Sequence, residues 1–339
     1  MQSFAPIKER LFPTIAAKQI FSLVGDELSL VEAEFESQAR SNIQVINYLG
    51  EYLRASGGKR VRPALLILAN YSIGGDGSAG SVIRLATVME MLHTATLVHD
   101  DIIDNADVRR NRKSINARFG NQTAVLMGDW LYMSAFQTAL RERSLEILDI
   151  LTRLTRKMTE GELIQMTLIG SLGITEDDYF DILKRKTAYL FSACCEIGGI
   201  LGGADQPSQT ALRDFGMALG TAFQLSDDVL DLTSEAQLLG KAAGNDLLEG
   251  KLTLPLISLL KNEPGLKPEL EKIMLDGEYS NFSREQLKDK LVSYGILAEI
   301  KTRAENDASR ARKSLEILPE SEYRSCLEDT LDFVTTRNN

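Results

Sequence analysis

Cysteine is nearly missing from this chain: Cys194, Cys195 and Cys326 are the only three in 339 residues. An odd number, two of them adjacent and none in a CxxC, gives no disulfide framework, so a reducing, cytoplasmic setting with buried, inert thiols is expected. Nothing basic is placed to lower a thiol pKa, which argues against a nucleophilic cysteine. A basic excess is lacking too. There are 48 acidic against 38 basic residues, a net charge of −10, and a nucleic-acid partner is disfavoured on that ground. No run of about 18 uncharged apolar residues occurs, so no helix is expected to span a membrane. Met1 to Phe21 mixes acids and bases without an apolar block and does not read as a signal peptide. With 44% hydrophobic and 25% charged residues, the bulk of the chain has the composition of a folded globular protein.

Proline is also scarce, with eight in all and none between Pro63 and Pro207. Long stretches without helix breakers, with apolar residues three and four apart, predict long helices. Period-2 strands and Asn-Gly or Asp-Gly hairpins are not evident. Breakers gather at Gly74 to Gly77, Gly170 to Gly173, Gly202 to Pro207 and Asn262 to Pro268, which read as helix–helix connections. Thr175-Glu176-Asp177-Asp178 and Ser283-Arg284-Glu285-Gln286 read as helix starts, each a hydroxyl followed three residues later by an acid or amide. Without a dividing linker, the chain is expected to be one all-α domain, residues 1–339, with residues 1–20 peripheral. The fold class expected is a single-domain bundle of long helices around an apolar cavity.

Ser81 to Asp107 predicts a core helix, apolar over most of its surface. Along one of its faces run Glu90, His93, Leu97, Asp100 and Asp104, ending in His99-Asp100-Asp101-Ile102-Ile103-Asp104. Asp100 and Asp104 lie one turn apart and project the same way, with Asp101 beside them. Like charges at this spacing cost a helix a few tenths of a kcal/mol, and burial costs more. A solvated helix end is the ordinary explanation, weakened here by the apolar residues just before the cluster. Paired carboxylates suit a hard divalent cation that keeps waters and shares phosphate oxygens. A second apolar helix, Phe215 to Thr233, carries Gln224, Asp227, Asp228 and Asp231 in the same pattern. Together the clusters would repel a diphosphate unless a cation such as Mg²⁺ inverts the local charge. Cations lie near both. Gly57-Gly58-Lys59-Arg60-Val61-Arg62-Pro63 opens an apolar helix, Arg109-Arg110 follow the first cluster, and Lys186-Thr187, Lys241 and Lys251 bracket the second.

These segments, taken in order, resemble the trans-prenyl (polyprenyl) diphosphate synthase family of long-chain, octaprenyl- or heptaprenyl-like type. The matching residues are Gly57 to Pro63, Glu90 to Ala95, the DDxxD of Asp100 to Asp104 with Arg109-Arg110, Lys186-Thr187, Phe223 to Asp231, Gly240-Lys241 to Asp246 and Gly250 to Pro255. Asn111 departs from the pattern, which usually has glycine there. The resemblance implies an enzyme with Mg²⁺, three ions per active site, held by Asp100, Asp104 and Asp227, with Asp101, Asp228 and Asp231 supporting. It implies that Lys186 and Lys241 act in catalysis, and that Arg109, Thr187, Gln224 and Lys251 contact the allylic diphosphate. Lys59, Arg62, His93 and Arg110 would hold isopentenyl diphosphate. The partners implied are those two substrates and a second copy of the chain in a homodimer.

The reaction implied is ionisation of the allylic diphosphate, attack by the double bond of isopentenyl diphosphate, and loss of a proton to the released diphosphate. In this family the tail grows along the helix bearing the first cluster. Ala95 and Thr96 stand where short-chain members place a bulky aromatic, so the tail is expected to pass Leu92 towards Met89 and Leu85, with Tyr132 and Phe136 as candidates to end it. A long-chain all-trans product is expected. The alternatives are a short-chain farnesyl or geranylgeranyl synthase, a terpene cyclase, which needs no second diphosphate pocket, and a regulatory subunit, which would be expected to lose aspartates. His99 is assigned nothing beyond orienting the cluster, and Trp130 is assigned to packing.

Overall fold

A computed structural model describes residues 22–55, 57–58, 60–109, 112–233, 244–279 and 282–335. Their helices in chain order are α1 (Gly25–Gln38), α2 (Gln44–Ala55), α3 (Val61–Ser72), α4 (Gly80–Ile103), α5 (Ile115–Phe119), α6 (Asn121–Ala139), α7 (Leu145–Leu168), α8 (Glu176–Leu183), α9 (Tyr189–Leu201), α10 (Gln206–Thr233), α11 (Asn245–Leu248), α12 (Leu254–Asn262), α13 (Lys267–Asp276), α14 (Arg284–Ser293), α15 (Ile296–Ser314) and α16 (Glu322–Thr335). The all-α expectation holds. The one strand pairing among the described residues is a two-residue antiparallel ladder, β1 (Val108–Arg109) with β2 (Arg112–Lys113), which alternation could not reveal at that length.

Contacts divide the chain into two compact units. One comprises the described residues within 1–152, 191–215 and 314–333, the other those within 153–190, 216–313 and 334–339.

The first unit is organised on α4, which packs chiefly on α6 and also on α3 and α1. Leu85, Met89, Leu92 and Ala95 of α4 are at most 1% exposed. Each large apolar side chain so buried contributes about 1.5–3 kcal/mol. Its Thr87 is buried among them and donates its hydroxyl to the Ile83 carbonyl (2.9 Å), so no polar group is left unsatisfied there. By length and composition α4 is apolar enough to cross a membrane, but 67% of its most apolar window is buried inside the protein, the pattern of a core helix. It stops at Ile103, four residues short of the Asp107 expected, because Asn105 takes a left-handed φ of 50° and Ala106 turns its N–H back to the Asp101 carbonyl.

Close crossing of α3 by α9 depends on a missing side chain. A Cβ on Gly198 would sit 2.3 Å from the Leu66 carbonyl oxygen and 2.9 Å from the Ala69 Cβ, and the Gly198 carbonyl accepts from the buried Asn70 side chain (3.2 Å). Burial pushes the neighbouring Cys194 thiol up to about 12 and Cys195 up as well, so both remain inert thiols as expected.

In the second unit the capping signals act as read. Thr175 and Ser283 each accept the N–H three residues on, while Asp178 and Gln286 return the bond in full capping boxes that start α8 and α14. Leu256 and Leu259 of α12, Leu287 and Leu291 of α14 and Ile296 of α15 are almost fully buried.

The Gly198 contact is with backbone, which cannot rotate away. Gly198→Ala is therefore expected to lower stability by about 1–3 kcal/mol, read as a shift in the urea unfolding midpoint with an unchanged slope.

Candidate active site

In the first unit, α4 delivers the first carboxylate cluster at its C-terminal end. Asp100 and Asp104 are half-buried, whereas Asp101 is only 4% exposed. Asp101 Oδ1 accepts from Arg109 Nε (2.6 Å), and its carbonyl accepts from the Asn116 side chain (3.0 Å). The short β1–β2 ladder thus returns Arg109 to the cluster eight residues earlier in sequence. Asp101 and Arg109, assigned to metal support and substrate contact, are here bound to each other. His99 sits against α6, its Nε2 3.2 Å from the Val125 carbonyl and its ring stacked on Tyr132. Burial and the Asp100 charge together hold the Tyr132 hydroxyl in its protonated form.

Of the residues assigned to isopentenyl diphosphate, Lys59 and Arg110 lie outside the described residues, as does Lys241. Arg62 is half-buried with its guanidinium 5.1 Å from the centre of the Phe191 ring, and His93 is half-buried on α4. A pocket nearby in sequence has Arg54, Gly57, Thr94, Arg109 and Lys113 in its wall, but not Arg62 or His93. Arg54 and Lys113 escaped the sequence reading, since isolated cations on α2 and at a strand end carry no signal of their own. Arg60, between two assigned cations, serves the fold. It caps α3 from a left-handed φ of 49° and pairs with Glu90 (2.6 Å) and Glu32. Burial by itself would weaken its hold on a proton; the two carboxylates more than restore it.

In the second unit, Lys184–Ala188 forms a π-turn, an i→i+5 winding common at functional sites. It brings Lys186 and Thr187 against α7, where Gly161 makes room; a Cβ there would meet the Arg185 Cβ at 2.6 Å. Lys186 Nζ lies 2.5 Å from Glu162 and donates to Gln165 (2.8 Å), two partners that the sequence reading missed. Thr187 donates to Gln224 Oε1 (2.9 Å), and Gln224 Nε2 donates to Asp228 Oδ1 (2.8 Å). The other oxygen of Asp228 accepts from the Tyr179 hydroxyl at 2.6 Å. Burial, then repulsion from Asp246, raises the proton affinity of Asp228, and the two donors oppose that rise. Asp231 is also buried. Its carbonyl accepts from Gly244 N–H (2.7 Å) and its carboxylate from Asp246 N–H (3.3 Å). Asp227 stays half-buried on α10, while Lys251 pairs with Glu249 (2.6 Å).

Among the described residues no three His, Cys, Asp or Glu side chains converge as a ready-made metal cage. The donor set nonetheless suits Mg²⁺, which takes one or two carboxylates, keeps waters and completes its shell with substrate phosphates. In both clusters the second aspartate is tied inward, and half-buried carboxylates, Asp100 with Asp104 and Asp227, flank it.

The polyprenyl synthetase family model matches residues 43–293. The octaprenyl diphosphate synthase of Escherichia coli is 36% identical over 91% of this chain and 95% of its own length. An all-trans-nonaprenyl-diphosphate synthase of Rhodobacter capsulatus is 37% identical, with 91% and 94% covered. Among solved structures, a polyprenyl synthase from Caulobacter crescentus complexed with calcium and isoprenyl diphosphate superposes with a TM-score of 0.88 at 33% identity, covering 95% of this chain and 98% of that one.

The buried Arg60–Glu90 pair gives a test of its structural role. Glu90→Ala leaves a buried guanidinium with Glu32 alone and is expected to cost about 3–5 kcal/mol in urea unfolding.

Proposed function

Because the chain belongs to the polyprenyl synthetase family, we propose that it condenses isopentenyl diphosphate with an allylic diphosphate, releases diphosphate and builds a long-chain all-trans polyprenyl diphosphate. The observation that carries this reading is similarity along nearly the whole chain to octaprenyl and nonaprenyl synthases, with both aspartate clusters intact. The whole chain is proposed to act as one polyprenyl synthase domain in the cytoplasm. A terpene cyclase or a non-catalytic subunit fits these features less well.

Asp100, Asp104 and Asp227 are proposed to hold Mg²⁺, three ions per active site. When bound, Mg²⁺ neutralises the allylic diphosphate and stabilises it as a leaving group. Lys186, delivered by the π-turn, meets the negative charge that develops as the C–O bond breaks, with Lys241 assigned the same role by resemblance. Its resting partner Glu162 must yield it to a phosphate oxygen. Thr187 and Gln224 place polar atoms for the diphosphate, joined by Arg109 and Lys251. Arg62, His93, Lys59 and Arg110 are assigned to isopentenyl diphosphate, which their charge holds near the cation. No side chain is assigned as general base, and the proton goes to released diphosphate.

A homodimer is proposed as well. α6 leaves Leu126 and Met133 more than 60% exposed, with Val125 and Leu140 beside them, an apolar stripe of the kind that a second copy covers.

Loss of a metal ligand removes charge stabilisation needed only in the reaction. Asp100→Ala and Asp227→Ala are each expected to cut turnover about 100-fold or more with helicity retained, and EDTA to abolish activity that Mg²⁺ restores. Normal turnover in both folded variants would refute the assignment.

Product length rests on α4. Ala95 is fully buried and small, and Leu92, Met89 and Leu85 continue inward from it without an aromatic ring. One helical turn, about 5.4 Å, is near one extended isoprene unit, so the tail is proposed to extend to on the order of thirty carbons or more. Ala95→Phe is expected to shorten the product to roughly fifteen carbons while ionisation survives. Chromatography of product from labelled isopentenyl diphosphate reads the change, and an unaltered distribution would place the tail elsewhere.

A further inference from the structure

Among the groups that the proposed chemistry does not use, Tyr179 stands out. It lies in the middle of α8, 7% exposed, and its hydroxyl donates at 2.6 Å to Asp228 Oδ2 on α10. Asp228 is 3% exposed, and the donors given to its two oxygens are both neutral, Tyr179 on one and the Gln224 amide on the other. A buried carboxylate held by neutral donors is sensitive to the loss of either, since each hydrogen bond to a charged group offsets part of its desolvation. The same carboxylate is next in sequence to Asp227, the proposed metal ligand of this unit, and is linked through Gln224 to Thr187 on the π-turn.

We infer that Tyr179 is a positioning residue for the metal–diphosphate site: its buried hydroxyl pins Asp228 inward, which fixes the rotation of that turn of α10 and so directs the carboxylate of Asp227. The hydroxyl touches neither substrate nor metal; it acts through Asp228. An ordinary structural tyrosine would contribute to stability alone. A positioning tyrosine also sets how well Mg²⁺ and diphosphate bind, because a half-ångström error in a ligand weakens a site that demands near-ideal octahedral geometry. This inference rests on the metal reading above.

The test compares the full-length wild-type chain with Tyr179→Phe, which removes one oxygen and keeps the ring. Two readouts are needed: the rise in melting temperature on adding Mg²⁺ with inorganic diphosphate, and the Mg²⁺ concentration for half-maximal turnover. In Tyr179→Phe the thermal shift is expected to shrink by at least half and the half-saturating Mg²⁺ to rise about tenfold. The KM for isopentenyl diphosphate is expected to hold within about twofold, the difference that one lost contact to a single ligand produces. Unchanged Mg²⁺ dependence and thermal shift in folded Tyr179→Phe, with normal wild-type behaviour, overturn this inference alone. A wild-type chain with no Mg²⁺ response overturns the metal reading and this inference together. If Tyr179→Phe does not fold, the pair Tyr179→Phe with Asp228→Asn removes the buried charge along with its donor. That pair is expected to fold and to match Asp228→Asn alone in Mg²⁺ response; a further loss overturns the inference.

Discussion

Everything at the proposed site depends on how a chain with a net charge of −10 keeps carboxylates crowded at the ends of two apolar helices. The solution is the same in each unit. The second aspartate of the cluster is taken out of water and given donors of its own: Arg109 for Asp101, Tyr179 and Gln224 for Asp228. Burial without those donors would cost several kcal/mol per charge, so the donors are a condition of the helix ends existing where they do. Asp100, Asp104 and Asp227 keep partial access to solvent, as the proposed cation ligands would need.

The donors, however, differ in kind between the two clusters. Asp101 is neutralised by a guanidinium that also lines a pocket with Arg54 and Lys113. A phosphate arriving there, as proposed, would compete for a cation already in use, and Arg109 would link the first cluster to the contents of that pocket. Asp228 sits among neutral donors and beside Asp246, and burial with that repulsion raises its proton affinity. Lys186 likewise rests on Glu162 and Gln165. Preformed partners of this kind hold long side chains in defined rotamers and would lower the entropy lost if the proposed diphosphate took their place.

The helices and both clusters were legible because their signals are local: apolar residues three and four apart, aspartates one turn apart, a hydroxyl followed by an acid. α4, α10 and the two capping boxes follow directly from such spacing. What escaped detection depends on partners far apart in sequence. Tyr179 meets Asp228 across 49 residues, and Arg60 meets Glu90 across 30. A lone tyrosine within a short helix, or one arginine among three cations, carries no pattern to mark such a role. Arg60 is the instructive case. Its neighbours in Gly57 to Pro63 suggested phosphate for the whole segment, yet its left-handed backbone directs its side chain into the fold. The β1–β2 ladder was invisible for a different reason, since two residues per strand are too few to alternate.

The π-turn at Lys184–Ala188 has a consequence for how this gene can change. Relative to an α-helix, such a turn accommodates one additional residue, and each residue of an α-helix turns the chain by about 100°. Deleting a single codon within the turn would let it relax to ordinary winding with the flanking helices near their present rotation, but the side chains inside the turn would face a different way. Tyr179 before the turn and Thr187 within it both reach Asp228, one directly and one through Gln224. Their common target ties the reading length of those five residues to the second cluster. Substitutions in the turn act one side chain at a time; a change in its length redirects Lys186 and Thr187 together.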